Sequence, residues 1–314
     1  MSPLTNQLPA RTTLLAFFAT VLIGGTNFVA VKFSNAELPP LFGAGVRFAA
    51  AALIFLAIMR IRRKAMPRGR ALAGAAVYGT LSFGMVYGLL YFALLQMNAG
   101  TTSVIMASVP LATLILAVLQ GQESFTVRGV AGGALALGGI AVLSYRALEG
   151  AIPFLPLLAA IGGMAAASQA AVLVKGFPKS DPITTNAVGM TVGAAGLLLA
   201  SVVFREAWTL PGLTSTWIAL IWLVGGGSVG LFGLFVFVIK TWKASASVYA
   251  LTLMPLVAVG LGALLLGEAI TPQTVAGGLL VVLGVYVGAL SRPVGRRNKR
   301  SRSNVEPMLV NSQA

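Results

Sequence analysis

The sequence predicts an all-α integral membrane protein with ten transmembrane helices, arranged as two inverted five-helix repeats. Three observations predict this fold class. First, only 9% of the 314 residues are charged and 57% are hydrophobic, with a mean hydropathy of +0.91. Second, the hydrophobic residues form ten runs close to the length that a membrane span requires, which is about 20 residues. Third, the chain matches itself when it is shifted by 145 residues.

The composition favours a lipid environment and excludes several kinds of chemistry. A soluble domain has about 25% charged residues, so this chain has too little polar surface to face water on all sides. Cys and His are both absent, which excludes disulfides, thiolate metal sites and any His-based proton relay. No span carries paired carboxylates or metal ligands. We therefore expect no enzyme activity, no metal and no cofactor.

The ten predicted spans are the apolar runs that lie between polar or basic loops. Helices are expected because backbone polar groups inside a bilayer must be satisfied within the spanning segment. The fifth span is short and rich in glycine. In chain order the spans cover residues 13–32, 41–59, 71–94, 101–120, 128–145, 152–174, 183–203, 216–240, 245–266 and 272–290.

The distribution of Lys and Arg predicts the orientation. With a cytoplasmic N-terminus, 18 of the 22 basic residues lie on the cytoplasmic side, and only Lys32, Arg146 and Arg205 lie outside. The positive-inside rule then places both termini in the cytoplasm of a bacterial inner membrane. The net charge of +15 is spread over short loops and the C-terminus, whereas nucleic-acid binding would need a clustered basic surface. We expect a lipid bilayer and a small-molecule substrate as partners, and no nucleic acid.

The internal repeat divides the chain. The 145-residue shift places Pro110 on Pro255 and Glu123 on Glu268, and a weaker match at 142 residues aligns the second and seventh spans. The predicted units are a first five-helix repeat at 1–147, a second, inverted repeat at 148–291, and a basic, disordered cytoplasmic tail at 292–314. Because five is odd, the second copy enters the membrane from the opposite side. Inverted repeats allow two exchanged conformations around a site at their interface, which favours a transporter over a receptor or structural protein.

The chain contains four ordered motifs: GTNFVAVK (25–32), LPPLFGAGVR (38–47), MPLVAVGLGALLLGEAIT (254–271) and VAGGLLVVLGV (275–285). These motifs, which are distributed over both halves, resemble the EamA-type branch of the drug/metabolite transporter superfamily. The resemblance extends over residues 13–290 and implies ten helices, cytoplasmic termini and export of amino acids or related metabolites. Within that family the chain is most similar to aromatic amino-acid exporters. The sequence departs from the family pattern at Gly121-Gln122-Glu123, where the family often has Leu-Gly-Glu.

The substrate path is expected to combine a few polar groups with aromatic walls. As a set, the candidates suggest a large, mostly apolar cavity for bulky neutral or zwitterionic molecules. Each candidate is also compatible with simple helix packing or interhelical hydrogen bonding. The candidate substrate-binding residues are Thr26, Asn27, Tyr78, Ser82, Tyr87, Tyr91, Met106, Ser108, Ser168, Gln169, Ser228, Phe232, Tyr249 and Thr252.

Three further features have two interpretations each. Pro110 and Pro255 lie within spans and are either hinges or static kinks. Arg47 is the only charge well inside a span, and it is either a functional group or a structural charge that extends towards the interface. The glycines of the fifth, eighth and tenth helices serve helix packing, or those of the fifth and tenth serve dimerisation, so that both a monomer and a homodimer remain open.

The acidic residues suggest how transport is driven. All seven fall in loops, helix ends or the tail, and no span has a buried carboxylate or a His, the usual proton carriers. The sequence therefore predicts gradient-driven alternating access that does not need a buried carboxylate relay. A translocase of lipids or lipophilic drugs is the alternative function. The seven acids are Glu37, Glu123, Glu149, Asp181, Glu206, Glu268 and Glu306.

Overall fold

The structure, a computed structural model, describes residues 11–122, 127–148, 153–174, 176–178, 180–241 and 244–287. All regular secondary structure in these ranges is helical. Glu123, Glu149, Lys175 and the tail at 292–314 lie outside them. The helices are α1 (Arg11–Asn35), α2 (Pro40–Ile61), α3 (Arg70–Ala93), α4 (Ala99–Leu119), α5 (Val127–Leu148), α6 (Phe154–Val174), α7 (Pro182–Val203), α8 (residues 214–241), α9 (Ala244–Leu266) and α10 (Pro272–Val285).

This helix order confirms the predicted all-α membrane fold. By length and composition, seven of the described helices can cross a membrane, and shorter apolar helical stretches lie within α5, α9 and α10. Large apolar side chains cover the outside of the bundle, including Leu15, Ile218 and Leu264, which are 70%, 63% and 78% exposed. Exposure of such side chains is unfavourable in water and favourable against lipid tails.

Helices α3 and α8 each contain a six-residue π-helical segment, in which hydrogen bonds run from residue i to i+5. In α3 the π-segment is Thr80–Met85, and in α8 it is Gly225–Gly230. The two segments are related by the same 145-residue shift that relates the sequence motifs. Each π-turn leaves backbone carbonyls without their usual helical partner, and such turns are frequent at functional sites.

The prediction of one continuous fourth helix is wrong, because α4 consists of two helical segments. The first is Ala99–Met106 and the second is Val109–Leu119, with a turn between them. Pro110 is the second residue of the second segment, in the first turn where proline is tolerated, and it has no N–H to continue the helical ladder. Its repeat-related counterpart Pro255 lies inside the continuous helix α9.

The packing of the helices follows a two-fold pattern between the halves. α2 packs against α7 and α5 against α10, and α1 packs against α8 and α9 as α6 packs against α3 and α4. The ends of α2 and α7 show that these two helices run antiparallel. Glu206, after the end of α7, accepts hydrogen bonds from the first backbone N–H groups of α2, and Lys64, after the end of α2, pairs with Asp181 at the start of α7.

The glycines of α5 and α10 bring these two helices into contact within the chain. A Cβ at Gly139 would meet the Gly277 carbonyl oxygen at 2.7 Å, and one at Gly284 would meet the Gly132 carbonyl oxygen at 2.7 Å. These positions therefore need glycine because the two backbones approach closely. Of the two interpretations left open by the sequence, the contacts support helix packing.

Candidate functional site

A cavity of about 340 Å³ lies inside the bundle, where helices of both halves meet. Its walls come from α1, α2, α3 and α4 of the first half and from α6, α8 and α9 of the second. The volume is at the lower end of the ~300–1,000 Å³ range typical of small-molecule sites. Most of the lining side chains are apolar. The polar ones are Thr20, Asn27, Arg47, Tyr78, Ser82, Tyr87 and Ser103.

Aromatic rings form much of the cavity wall and are held by two fully buried phenylalanines. Phe83 lies in the π-segment of α3, and its ring centroid is 5.4 Å from those of Tyr78 and Phe232. Phe48 of α2 holds Tyr87 at 4.6 Å. All three contacts are edge-to-face, a geometry that aromatic pairs favour over a face-to-face sandwich.

Arg47 is the charged residue of the cavity wall, and its side chain is fully buried. Its Nε donates to Ser228 Oγ at 3.0 Å, its Nη2 to the Gly227 carbonyl at 3.1 Å, and its Nη1 to the Tyr91 hydroxyl at 3.4 Å. The guanidinium carbon also lies 5.0 Å from the ring centroids of Phe48 and Tyr87. Such cation–π contacts favour burial of the charge.

The π-segment of α8 provides the acceptors for Arg47. Asn27 of α1 donates from Nδ2 to the same Gly227 carbonyl at 3.2 Å, so that three helices meet at one backbone oxygen. Ser228 Oγ donates in turn to the Leu223 carbonyl, five residues earlier. The Oδ1 atom of Asn27 is buried and has no hydrogen-bond partner.

The structure brings about half of the predicted binding residues to this cavity. They come from α1, α3, α4 and α8, and Arg47 joins them from α2. The predicted residues that line it are Asn27, Tyr78, Ser82, Tyr87, Met106 and Phe232.

The other predicted residues lie away from the cavity, or their side chains are not among those that the structure describes. Tyr91 and Ser228 contact Arg47 but do not line the cavity, while Ser108 is buried next to the α4 turn. The side chains of Tyr249 and Thr252 are not among those described. The remaining three make hydrogen bonds between helices: Thr26 accepts from Trp222, Ser168 donates to the Val109 carbonyl, and Gln169 accepts from Gln120.

Sequence reasoning missed lining residues that are small or apolar. They include Ser103, Ala167 and Ala171, and on facing helices Gly24 of α1 and Met254 of α9. A Cβ at Gly24 would collide with the Met254 side chain. The Gly24-Gly25 pair in the sequence therefore indicates close helix packing at the cavity.

Polar contacts between the two halves close one end of the bundle. Lys32 at the end of α1 forms an ion pair with Glu268, in the loop after α9, at 2.9 Å. Lys32 also donates to the Met97 carbonyl, and Glu268 accepts from the backbone N–H of Ala99, the first residue of α4. Glu268 and Lys32 thus connect the α1 end, the α4 start and the α9–α10 loop.

The described acidic residues all lie outside the helices, as the sequence predicted. Glu37 accepts hydrogen bonds from the backbone N–H groups of Gly212 and Leu213. A hydrogen bond from the Thr216 side chain and these backbone bonds hold the pKa of Glu37 below its usual value. No described group of three or more His, Cys, Asp or Glu residues could hold a metal ion.

Comparison with known proteins gives matches over most of the chain. A sequence model of the EamA-like transporter family matches it twice, over residues 11–145 and 154–289. The inner membrane transporter YedA of Escherichia coli K12 is 31% identical over 277 residues, covering 87% of this chain and 89% of its own length. A transporter of Archaeoglobus fulgidus is 30% identical over 299 residues, covering 85% and 95%.

Two further matches extend the comparison. A Salmonella typhimurium protein named "Probable amino-acid metabolite efflux pump" is 27% identical over 290 residues, covering 88% of this chain and 94% of its own. A solved crystal structure covers 89% of this chain and 96% of its own, with a TM-score of 0.62 and 19% identity. This last match shows a shared fold.

Proposed function

Because the chain belongs to the EamA-like transporter family, we propose that this membrane transporter exports amino acids, aromatic or otherwise bulky and neutral, or related small metabolites. The relative named as an amino-acid metabolite efflux pump supports this substrate class. Transport proceeds by alternating access, with the five-helix units 1–147 and 148–291 rocking about the cavity between them. The excess of Lys and Arg in the loops on one side of the membrane supports cytoplasmic termini in the inner membrane.

The observation that carries this proposal is the cavity at the interface of the two halves. Inverted-repeat transporters bind substrate at such an interface. Tyr78, Tyr87 and Phe232 offer flat apolar walls for a bulky side chain, and Asn27, Ser82 and Arg47 offer a few polar groups. This combination suits amino acids better than sugar phosphates, which would need several basic residues.

The proposed energetics follow from the residues around the cavity. No carboxylate or His is among its described lining residues, and the chain contains no His at all. The protein therefore moves substrate down its gradient without an obligatory proton relay through a buried carboxylate. Uptake that runs uphill on an imposed pH gradient in proteoliposomes would contradict this mechanism.

The first test is flux of labelled amino acids into proteoliposomes that contain the purified full-length protein. Ser82→Leu adds bulk to the cavity wall, and we expect roughly tenfold lower flux, since overpacking costs about 1–3 kcal/mol. The matched control is Thr191→Leu, because Thr191 is exposed on α7 and bonds to its own helix at the Ala187 carbonyl. Equal flux in the two variants would contradict the cavity as the transport site.

A translocase of lipids or lipophilic drugs is the second candidate, and a groove on the outside of the bundle favours it. The groove lies between α3 and α7, has a volume of about 1040 Å³ and is mostly apolar. Exposed side chains such as Met85, Leu199 and Phe204 border it. Fluorescent phospholipid and labelled amino acids in the same proteoliposomes separate the two functions, and lipid movement without amino-acid flux would favour this candidate.

A further inference from the structure

We propose that Arg47 binds the carboxylate of the transported molecule, so that the cavity accepts molecules with a free carboxylate and rejects amines that lack one. The inference rests on the proposed function and specifies the chemistry of its substrate. Arg47 would contact the carboxylate of the substrate, whereas the aromatic wall would contact its side chain.

The first step is that the positive charge of Arg47 persists inside the protein. The guanidinium cannot be deprotonated in proteins, and its side chain is fully buried. The ion pairs that the structure describes are Lys32–Glu268 and Lys64–Asp181, so no described carboxylate neutralises Arg47. A buried charge without an opposite charge is costly, and an anionic ligand removes much of that cost.

The second step is that the guanidinium retains unused donors. It has five N–H groups, and the described bonds use one each from Nε, Nη1 and Nη2. The Tyr91 bond is long at 3.4 Å, so Nη1 is held weakly. Two further N–H groups have no partner among the described residues. A carboxylate accepts two parallel N–H bonds from the guanidinium fork.

The third step is an unpaired acceptor beside these donors. Asn27 Nδ2 and Arg47 Nη2 donate to the same Gly227 carbonyl, so the two polar ends are neighbours in the cavity wall. Asn27 is 8% exposed, and its Oδ1 atom has no hydrogen-bond partner. An α-amino acid carries a carboxylate and an ammonium group on one carbon, and it would supply both the acceptor that Arg47 lacks and a donor for Asn27.

The fourth step is the position of the aromatic wall. Tyr87 lines the cavity and contacts Arg47, with 5.0 Å between its ring centroid and the guanidinium carbon. A molecule whose carboxylate is on Arg47 can therefore place an adjacent apolar group against Tyr87. These contacts favour compact molecules with a carboxylate close to a bulky apolar group.

The test measures which analogues inhibit uptake of labelled phenylalanine in proteoliposomes of the full-length protein. 3-Phenylpropionate keeps the carboxylate and lacks the amine, whereas 2-phenylethylamine and phenylalanine amide lack the carboxylate. We expect phenylpropionate to compete and the two amines to be at least about tenfold weaker, the discrimination expected when a buried donor is left unpaired. Equal competition by phenylethylamine and phenylalanine would overturn the role of Arg47.

Two variants connect this selectivity to Arg47 itself. Arg47→Gln should remove the preference for phenylalanine over phenylethylamine, and Arg47→Lys should retain part of it, because Lys keeps the charge but loses the fork. The ratio of the two inhibition constants is the readout, since a purely structural role would lower flux without changing this ratio. A wild-type ratio in Arg47→Gln would overturn the inference.

The outcomes also separate this inference from the proposed function. If the Gln variant does not fold, as judged by gel filtration, the analogue series on the wild-type protein decides alone. Absence of flux for every amino acid together with phenylpropionate uptake would contradict the proposed function and retain the carboxylate site. Amino-acid flux that amines inhibit equally would retain the proposed function and contradict the carboxylate site.

Discussion

At the scale of single residues, Gly227 connects the cavity to the backbone of α8. Its carbonyl accepts from both Asn27 and Arg47, and a Cβ at this position would collide with the Asn27 amide. Glycine is needed here because a side chain would displace the Asn27 amide, one of the two polar groups that we propose contact the substrate. Gly225, two residues earlier in the same π-segment, has open space around its Cβ position.

Replacement of Gly227 should therefore be costly, and replacement of Gly225 should not. We expect Gly227→Ala to lower the free energy of unfolding by about 1–3 kcal/mol and to reduce amino-acid flux, because it displaces Asn27. Thermal unfolding in detergent and proteoliposome flux measure the two effects. Gly225→Ala is the matched control, and equal behaviour of the two variants would contradict the close contact.

The residues that sequence reasoning found are those that are unusual within an apolar span. Asn27, Ser82 and Tyr78 were predicted as binding residues because a polar or aromatic group inside a membrane helix needs a partner or a cavity. Arg47 was noted for the same reason, with a functional and a structural interpretation. Ala167 was missed because an alanine on a membrane helix gives no sign of what it faces. Residue type indicated the chemistry, whereas only the packing of helices determines which face lines the cavity.

At the scale of helices, the start of α7 shows how a single carboxylate fixes a helix end. Asp181 is the N-cap residue, and its carboxylate accepts from the backbone N–H of Ile183 at 2.9 Å. It also pairs with Lys64 at 2.9 Å. The hydrogen bond from Lys64 is the main cause that lowers the pKa of Asp181 below its usual value, with the Ile183 bond adding to it.

The two roles of Asp181 can be separated by substitution. Asp181→Ala removes the cap and should lower the free energy of unfolding by about 1 kcal/mol. Asp181→Asn keeps a capping oxygen and loses only the ion pair, which at a partly exposed site is worth about 0–1 kcal/mol. Thermal unfolding at pH 7 measures both, and an Asn variant that is less stable than the Ala variant would contradict the capping role.

The pH dependence of this contribution has a definite sign. Because the pKa of Asp181 is lower in the folded state, its carboxylate stabilises the protein above the unfolded pKa of about 3.9. That contribution disappears as the pH falls through the folded value. The stability difference between wild type and Asp181→Asn should thus be constant from pH 5 to 7, on the order of the ion-pair value, and shrink below about pH 4.

Helix existence could be predicted from the sequence, but departures from regular helix geometry could not. The length of the apolar runs predicted ten helices, and α2 and α7 begin at the repeat-related Pro40 and Pro182. The π-segments escaped prediction because residues 80–85 and 225–230 share no residue type in register. The break in α4 escaped because proline is compatible with both a kinked and a segmented helix, and α9 shows the continuous alternative.

At the scale of the whole molecule, alternating access requires one end of the bundle to separate. The end held by Lys32 and Glu268 joins the two halves, since Glu268 follows α9 and contacts α1 and the start of α4. A Cβ placed at Gly262 of α9 would lie 3.8 Å from the Cβ of Ala99. This is about the mean Cβ separation in disulfides, roughly 3.8 Å.

A disulfide at this end should therefore stop transport. The chain contains no Cys, so Ala99→Cys combined with Gly262→Cys can form only the intended bond within the chain. We expect oxidation to lower amino-acid flux by at least about tenfold, which corresponds to about 1.4 kcal/mol in rate. The reduced double variant is the matched control, because it carries the same displacement of Glu268 by the new side chain.

Recovery of flux on reduction is part of the expected result. Full activity of the oxidised protein, with the disulfide verified by mass, would show that this end does not separate during transport. A reduced form that is as inactive as the oxidised one would instead identify Glu268 displacement as the cause and contradict the crosslink interpretation.

The paired π-segments also bear on the ancestry of the chain. A π-turn arises when one residue is added to a regular helix, and the two turns at 80–85 and 225–230 occupy equivalent places in the two halves. Equivalent positions are what one addition in a single five-helix ancestor, before duplication, would produce. The side chains of the two turns differ at every aligned position, yet both turns lie at the cavity: Ser82 lines it, and Ser228 and the Gly227 carbonyl accept from Arg47. The place of the turn in the bundle is thus shared between the halves, while the residues that occupy it are not.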